Sequence, residues 1–446
     1  MKIIIAGAGE VGFHLAKMLA DEEHDIVLID KLAERLSHAE GHIDVSTIKG
    51  NSISIKILEE AGVNGADLLI AATSSEETNI TTAIIGKHLG ARRTIARISN
   101  PEFQIENEKL DLQKLGIDSM VFPEDLAAKE IYRLIQRSAV TDSFEFGDGQ
   151  LSLTGIVLEG VAPILEKSLK ELVMSLPGLP FTVVAIHRGN KTIIPRGDTR
   201  FRPYDHVYFI SHPDRIDDII ALTGKEPVKI KNIMILGGSL IGRLFARMAQ
   251  SDYNVKLIER NREKCYSLAD ELSGSLVLHG DGNNVELLEE EGIQDMDAFL
   301  AVTGNSETNI ISSLVARNHG VKRTIALVEN IDYISLSQNI GIDTLINKKL
   351  IAVNNIFRFV RGGNVEALTS LHGVKSEILE YSVQNNCKIT RTPIKKLDFP
   401  RDAVIAGVIR GNESFTASGD LQILPGDHVV VFTLMSAVHK VEQFFK

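Results

Sequence analysis

The chain has 446 residues, 44% of them apolar and 24% charged, which suits two to four packed domains and excludes a disordered or fibrous protein. Its formal net charge of −11 leaves no basic stripe to neutralise phosphates, so no nucleic-acid partner is expected. The two cysteines, Cys265 and Cys387, form neither a CxxC pair nor a His/Cys cluster, which argues against a disulfide framework or a metal site and fits a reducing cytoplasm.

The opening MKIIIAGAGEVG is a β-branched run broken by glycines and reads as a first strand rather than a signal peptide. GFHLAKMLADEE follows with helical spacing. DIVLID is then a strand, KLAERLSHA a helix, STIKG a strand, SIKILEEAG a helix and ADLLIAAT a strand. This alternation predicts a parallel, doubly wound sheet. EDLAAKEIYRLIQR continues as a helix with more apolar surface than a solvent-facing helix needs. Beyond it, DSFEFGDGQLSLTGIVL, TVVAIHRGNKTIIP and DHVYFIS are β-branched runs between Gly/Asn and Gly/Asp turns, which predict a small sheet-rich module. The longest uncharged apolar window, Leu172–Ile186, contains PGLP and falls short of the roughly 18 to 20 residues of a spanning helix. A membrane function would need a partner to supply the spanning part.

From Ile233 the text begins again. IIIAGAGEVGFHLAKML at Ile3 aligns with IMILGGSLIGRLFARMA at Ile233, an offset of 230. The same offset brings KGNSISIKILEEAG onto HGDGNNVELLEEEG, TSSEETNI onto TGNSETNI, and RRTIARI onto KRTIALV. GID at Gly116 recurs at Gly341. The small module recurs at offset 222, with RGN at Arg188 and Arg410 and Asp-His-Val at Asp205 and Asp427. The expected fold is therefore α/β: two Rossmann-like doubly wound parallel-sheet domains, over residues 1–140 and 228–364. A small β-rich α+β regulatory domain follows each, over 141–226 and 365–446, with KEPVKIKN as the linker between halves.

Gly7-Ala8-Gly9-Glu10-Val11-Gly12 lies between the first strand and helix, where glycines permit a tight turn, close approach of a pyrophosphate and close helix packing. Asp30 ends the second strand. A carboxylate there accepts both ribose hydroxyls of an adenosine and repels a 2′-phosphate, which favours NAD(H), ATP or ADP; Lys31 weakens that exclusion slightly. The second copy, Gly237-Gly238-Ser239-Leu240-Ile241-Gly242, carries a Cβ at Ser239 where the pyrophosphate would approach, and Glu259 replaces Asp30. The two sites are therefore expected to differ.

Asn51 and Asp281 follow a glycine after the third strand, where they suit either an adenine contact or a turn. Thr73, Ser74, Thr303 and Gly304 lie at the binding edge of such sheets. Glu77 and Glu307 complement a helix dipole. Arg97 could reach a phosphate or make a strand-end ion pair, whereas its counterpart Leu327 could do neither. The Pro-x-Asp-His pieces at Pro203 and Pro425 point only faintly to a metal or proton site, and no catalytic group is evident.

These motifs, in a duplicated chain without a spanning segment, resemble the peripheral regulatory subunit of the bacterial Trk potassium uptake system, with its tandem RCK domains. The resemblance implies a non-enzymatic protein that binds NAD(H) and ATP/ADP and gates a potassium-conducting Trk membrane subunit. It further implies a homo-oligomeric ring, a tetramer, on the cytoplasmic face of the membrane. The family's ligand positions correspond to Gly7 through Val11, Asp30, Asn51, Thr73, Ser74 and Arg97, and in the second copy to Gly237 through Ile241, Glu259, Asp281 and Thr303. A regulator of another transporter, such as a cation–proton antiporter, or an NAD-dependent oxidoreductase are the alternatives. The helices EDLAAKEIYRLIQR and KKLIAVNNIFRFVR serve either as core or as assembly surfaces, with Ile356, Phe357, Phe359 and Val360 favouring an interface.

Overall fold

The computed structural model describes Met1–Lys446 except residues 21–23, 105–110, 138–139, 177–180, 190, 226–228, 331–332, 334–341, 343, 361–364 and 371–375. Residues 226–228 of the KEPVKIKN linker and both ends of the second GID lie outside the described residues. The chain divides into two compact units: Met1–Lys129 with Ile346–Val360, and Glu130–Leu345 with Arg361–Lys446.

In the first unit the elements are β1 (Lys2–Ala6), α1 (Glu10–Ala20), β2 (Asp25–Asp30), α2 (Ala33–Glu40), β3 (Ser46–Lys49), α3 (Ile55–Glu60), β4 (Leu68–Ala71), α4 (Glu76–His88), β5 (Arg93–Arg97), β6 (Ser119–Val121) and α5 (Pro123–Gln136), whose last turns belong to the second unit. The sheet order is β3-β2-β1-β4-β5-β6, with parallel pairing between neighbours. This is the doubly wound dinucleotide-binding order, in which the direction of winding reverses between β1 and β4 and opens a crevice at their carboxyl ends. Ile3, Ile4 and Ile5 of β1 and Leu69 and Ile70 of β4 are fully buried, which explains why these strands are apolar without alternation.

The second unit opens with a five-stranded antiparallel sheet: β7 (Asp142–Phe146), β8 (Leu151–Val157), β9 (Phe181–Arg188), β10 (Lys191–Ile193) and β11 (His206–Ser211), in the order β10-β9-β11-β8-β7, with α6 (Leu169–Ser175) and α7 (Ile216–Leu222). A second parallel sheet follows, with β12 (Asn232–Leu236), α8 (Leu240–Ala249), β13 (Asn254–Glu259), α9 (Arg262–Glu271), β14 (Ser275–His279), α10 (Val285–Glu290), β15 (Ala298–Ala301), α11 (Ser306–Asn318), β16 (Arg323–Leu327) and β17 (Thr344–Ile346). Its order, β14-β13-β12-β15-β16-β17, copies the first.

Next come α12 (Lys348–Val360), β18 (Val365–Ser370), β19 (Ser376–Ser382), β20 (Ala403–Arg410), β21 (Glu413–Thr416), β22 (His428–Leu434) and α13 (Val438–Glu442). The last sheet, β18-β19-β22-β20-β21, repeats the topology of the first small sheet strand for strand. The two small sheets bury their apolar faces against each other through Phe146, Leu151, Tyr208, Ile378, Ile409 and Phe432. The other face of the first small sheet packs on α6 and α7 through Leu172, Ile216 and Ile219. Neither small sheet could bury both faces alone.

The two apolar helices are accounted for inside the chain. In the first unit α12 packs on α1, with Ile356, Phe357 and Val360 buried. In the second unit the end of α5 meets the second Rossmann-like module, where Tyr132 lies 6.4 Å from Phe245 and donates to Asp252 Oδ2 at 2.6 Å. Their apolar stripes are thus core contacts.

Two candidate nucleotide sites

The turn after β1 is built on three glycines with separate duties. Gly7 has φ +108°, and a Cβ there would lie 3.0 Å from Thr73 backbone atoms. A Cβ at Gly12 would be 1.7 Å from the Gly7 carbonyl oxygen. These two are demanded by the chain itself. Gly9 is not: a Cβ there would meet nothing nearer than Arg35 at 3.9 Å, so the fold leaves that space open. Val11 is buried in the core.

Asp30, at the carboxyl end of β2, is buried and accepts from the N–H of Ala8 at 2.7 Å and of Leu32 at 2.9 Å. Each oxygen keeps lone-pair capacity for a further donor. Arg35 NH1 stands 3.6 Å away, much closer to the acid's role than the exposed Lys31 that the sequence draws attention to. On the opposite wall Thr73 is fixed by Asn79, whose Oδ1 accepts from Thr73 N at 2.8 Å and from Thr73 Oγ1 at 2.7 Å, and whose amide donates to Arg97 O at 2.9 Å. Ser74 beside it is exposed. Asn51 is engaged in its own turn, accepting from Ile53 N at 3.4 Å. Arg97 is half-buried at the end of β5, and no ion pair to it is found among the described residues.

The second module repeats this plan with adjustments. Gly237 has φ +106°, and a Cβ on Gly242 would lie 2.2 Å from Gly237 O. Ser239 turns its hydroxyl away from the open turn, donating to Val302 O at 2.6 Å and capping α8 by accepting from Gly242 N at 3.3 Å. Leu240 is half-buried and Ile241 fully buried. Glu259 accepts from Gly238 N at 2.9 Å and Asn261 N at 2.8 Å, with Lys264 Nζ at 3.4 Å. Burial opposes its ionisation, but the hydrogen bonds and Lys264 outweigh it and hold its carboxyl below the usual range. Gly238 in place of Ala8 leaves room for the longer Glu259 and for Leu268: a Cβ there would lie 2.5 Å from Leu268 Cδ1 and 2.9 Å from Glu259 Oε2. A cavity of 390 Å³ opens here, lined by Gly237, Glu259, Lys264, Asp281, Thr303 and Asn305 among others. Thr303 is held by Asn309 as Thr73 is by Asn79, and Asp281 accepts from Asn283 N at 3.0 Å. Leu327 is buried.

Two features escape a reading of the sequence by motif. Asn79 and Asn309 set both Thr loops, and the signal for them is the TNI tripeptide kept in both copies. Arg35 and Lys264 stand five residues after Asp30 and Glu259, a spacing equally visible in the duplication.

The Asp-His pieces of the small modules are structural. Asp205 is fully buried and takes a two-pronged grip from Arg188, at 2.7 Å on each oxygen. Asp427 is gripped by Arg410 at 2.7 and 2.8 Å. His206 pairs with Asp142 at 2.9 Å and His428 with Glu380 at 3.1 Å. Among the described residues no group of three His, Cys, Asp or Glu is placed to hold a metal ion, and no helix is long and apolar enough to cross a membrane.

The TrkA-N domain family matches residues 3–123 and 233–348, and the TrkA-C domain family residues 157–224 and 378–446. The chain is 32% identical to "Trk system potassium uptake protein TrkA homolog 1" of Methanosarcina mazei, with 100% of both chains covered. It is 33% identical to "Trk system potassium uptake protein TrkA homolog" of Archaeoglobus fulgidus, with 100% of both covered, and 30% to "Trk system potassium uptake protein TrkA" of Azorhizobium caulinodans, with 100% of this chain and 99% of that one covered. Among solved structures, the GsuK RCK domain superposes with a TM-score of 0.61 at 15% identity, covering 100% of this chain and 94% of that one. The GsuK channel bound to NAD gives 0.60 at 16%, covering 100% and 78%. At such identities the likeness is one of fold.

Proposed function

Because the chain belongs to the TrkA family of Trk-system potassium uptake proteins, we propose that it is a regulatory subunit that binds NAD(H) and ATP or ADP and gates a potassium-conducting Trk membrane subunit. The observation that carries the nucleotide reading is the combination at the first cleft. Gly9 lacks a side chain where the fold would tolerate one, and a buried Asp30, held by two backbone N–H groups, keeps acceptor capacity beside it. The residues present fit an adenosine with a pyrophosphate: Asp30 for the ribose hydroxyls, the turn from Gly7 to Val11 and the N-terminus of α1 for phosphate, Thr73 and Ser74 for the opposite wall, and Arg97 for a terminal phosphate. Asn51 stands at the adenine end.

The second cleft, from Gly237 to Gly242 with Glu259, Asp281 and Thr303, takes a nucleotide too, with Leu327 removing the cation that Arg97 supplies in the first. The reading is supported by the membrane-transport names of the full-length relatives and by the NAD bound in the GsuK channel. On it the protein acts without a chemical step, as a homo-oligomeric ring at the cytoplasmic face. Two ligands that fit one cleft differently shift its conformational equilibrium by their difference in affinity, about 1 to 3 kcal/mol for typical couplings.

The test is potassium flux into liposomes carrying the cognate Trk membrane subunit, with this protein added and ATP or NADH varied. Flux that follows the nucleotide supports the gating role. Binding in the clefts with flux unchanged would assign the regulator to another transporter.

A further inference from the structure

The first turn of α1 carries an acid in an awkward place. Glu10 follows Gly9 directly, at the helix N-terminus where backbone N–H groups would receive a phosphate. A carboxylate suits a vacant helix N-terminus but opposes a second anion brought to the same spot. In this chain the acid has a fixed counter-charge: Lys349 Nζ donates to Glu10 Oε2 at 2.7 Å.

Lys349 is 339 residues away in the sequence, on the first turn of α12. Its side chain is only 20% exposed. The helix that carries it packs along α1 with Ala352, Val353, Ile356 and Phe357 buried, and its neighbour Lys348 is held 3.4 Å from the buried Glu124 at the start of α5. The ammonium is thus delivered by a packed helix, and little freedom remains to be lost when it engages a ligand. His14, one turn along α1, faces the same pair; burial first, then Lys17 and Lys349, lower its pKa, with Glu10 opposing.

We infer that Lys349 is a phosphate ligand of the first cleft, contributed by the second half of the duplicated chain and held beside the phosphate turn by Glu10. An ammonium carries three donors, so its contact with Glu10 Oε2 does not by itself bar a second acceptor. A phosphate seated on the N-terminus of α1 takes another, and Lys349 screens it from Glu10. Longer phosphate chains gain more from this cation than a monophosphate does, and adenosine gains nothing. Affinity in the first cleft then depends on where α12 sits, which gives the second half of the chain a direct hold on the ligand of the first.

This inference rests on the reading that the first cleft binds adenine nucleotides. Its test is isothermal titration of the full chain with adenosine, AMP, ADP and ATP, for the wild type, Lys349→Gln, Lys349→Arg, Glu10→Gln and the Glu10→Gln/Lys349→Gln pair. A Glu259→Ala background silences the second cleft. Lys349→Gln is expected to weaken ATP and ADP about tenfold or more with adenosine unchanged, Lys349→Arg to recover most of that loss, Glu10→Gln to tighten ATP, and the double variant to lie between. Equal loss for adenosine and ATP would show that Lys349 only holds α12 in place and would overturn the inference, as would ATP binding that ignores Lys349. Wild-type chain that binds none of the four ligands would remove the nucleotide reading itself, a different failure from either. Thermal unfolding without ligand separates a misfolded Lys349→Gln from a folded one, and Lys349→Ala, tested the same way, replaces it if it misfolds.

Discussion

A Cβ at Gly12 would lie 1.7 Å from the Gly7 carbonyl oxygen, while one at Gly9 would stand 3.9 Å from its nearest neighbour. The same residue type thus answers to the fold at one position and, on the proposed reading, to a ligand at the other. Gly12→Ala is expected to destabilise the chain by more than about 2 kcal/mol, and Gly9→Ala to leave the melting temperature within a few degrees while weakening nucleotide binding; differential scanning calorimetry with and without ADP reads both. A comparable division governs the acids. Asp30 faces Ala8, and the longer Glu259 faces Gly238, so that a methylene added on one side is removed on the other. Gly238→Ala is expected to press on Leu268 as well as Glu259 and weaken the second site, and Gly238→Ala/Glu259→Asp to recover part of the binding, measured by titration with ADP. Both exchanges were visible as letters in the duplicated motif, but their compensation was not, because the two residues are about twenty positions apart and meet only across the turn.

At the scale of elements, the strands and helices of the parallel sheets follow from local pattern: unbroken apolar runs for strands buried on both faces, amphipathic segments between them. The small sheets carry a device that local pattern does not disclose. Arg188, at the end of β9, and Asp205, just before β11, lock two strand ends together, and Arg410 and Asp427 do the same in the other copy. With Asp205 fully buried, Arg188→Ala leaves a charge without its partner and is expected to cost on the order of 3 to 5 kcal/mol. The double variant Arg188→Ala/Asp205→Ala should cost less than the single one, as urea unfolding would show. The Asp-His sequence gives a faint suggestion of a proton or metal site and none of this lock, because spacing alone does not say which cation a carboxylate meets.

For the whole molecule, folding also couples to protons. Glu130, in the middle of α5, is pushed from its ordinary 4.5 up to about 7, first by burial and further by Asp142 and Glu145 of β7, while Arg133 opposes the shift. The folded chain therefore keeps a proton that the unfolded chain releases between those values. The contribution is fully present below pH 4.5 and is lost as pH rises through 7. With its side chain 21% exposed, Glu130→Gln is expected to flatten this part of the stability profile and to raise stability at pH 8 by on the order of 2 kcal/mol, checked by chemical denaturation at pH 5, 7 and 8.

Read by itself, the sequence determined the duplication, the parallel αβ modules, the glycine turn with its acid, and the small sheet-rich modules, because each of these is written in residues close together or repeated at a constant offset. Only the tertiary structure decided that α12 returns to α1 and brings Lys349 to Glu10, that the two small sheets bury each other's faces, and that Arg188 and Arg410 claim the aspartates. Local periodicity tells a helix which face to bury but not against which partner. That choice belongs to packing among residues hundreds of positions apart, where shape and charge are compared only after the chain has folded.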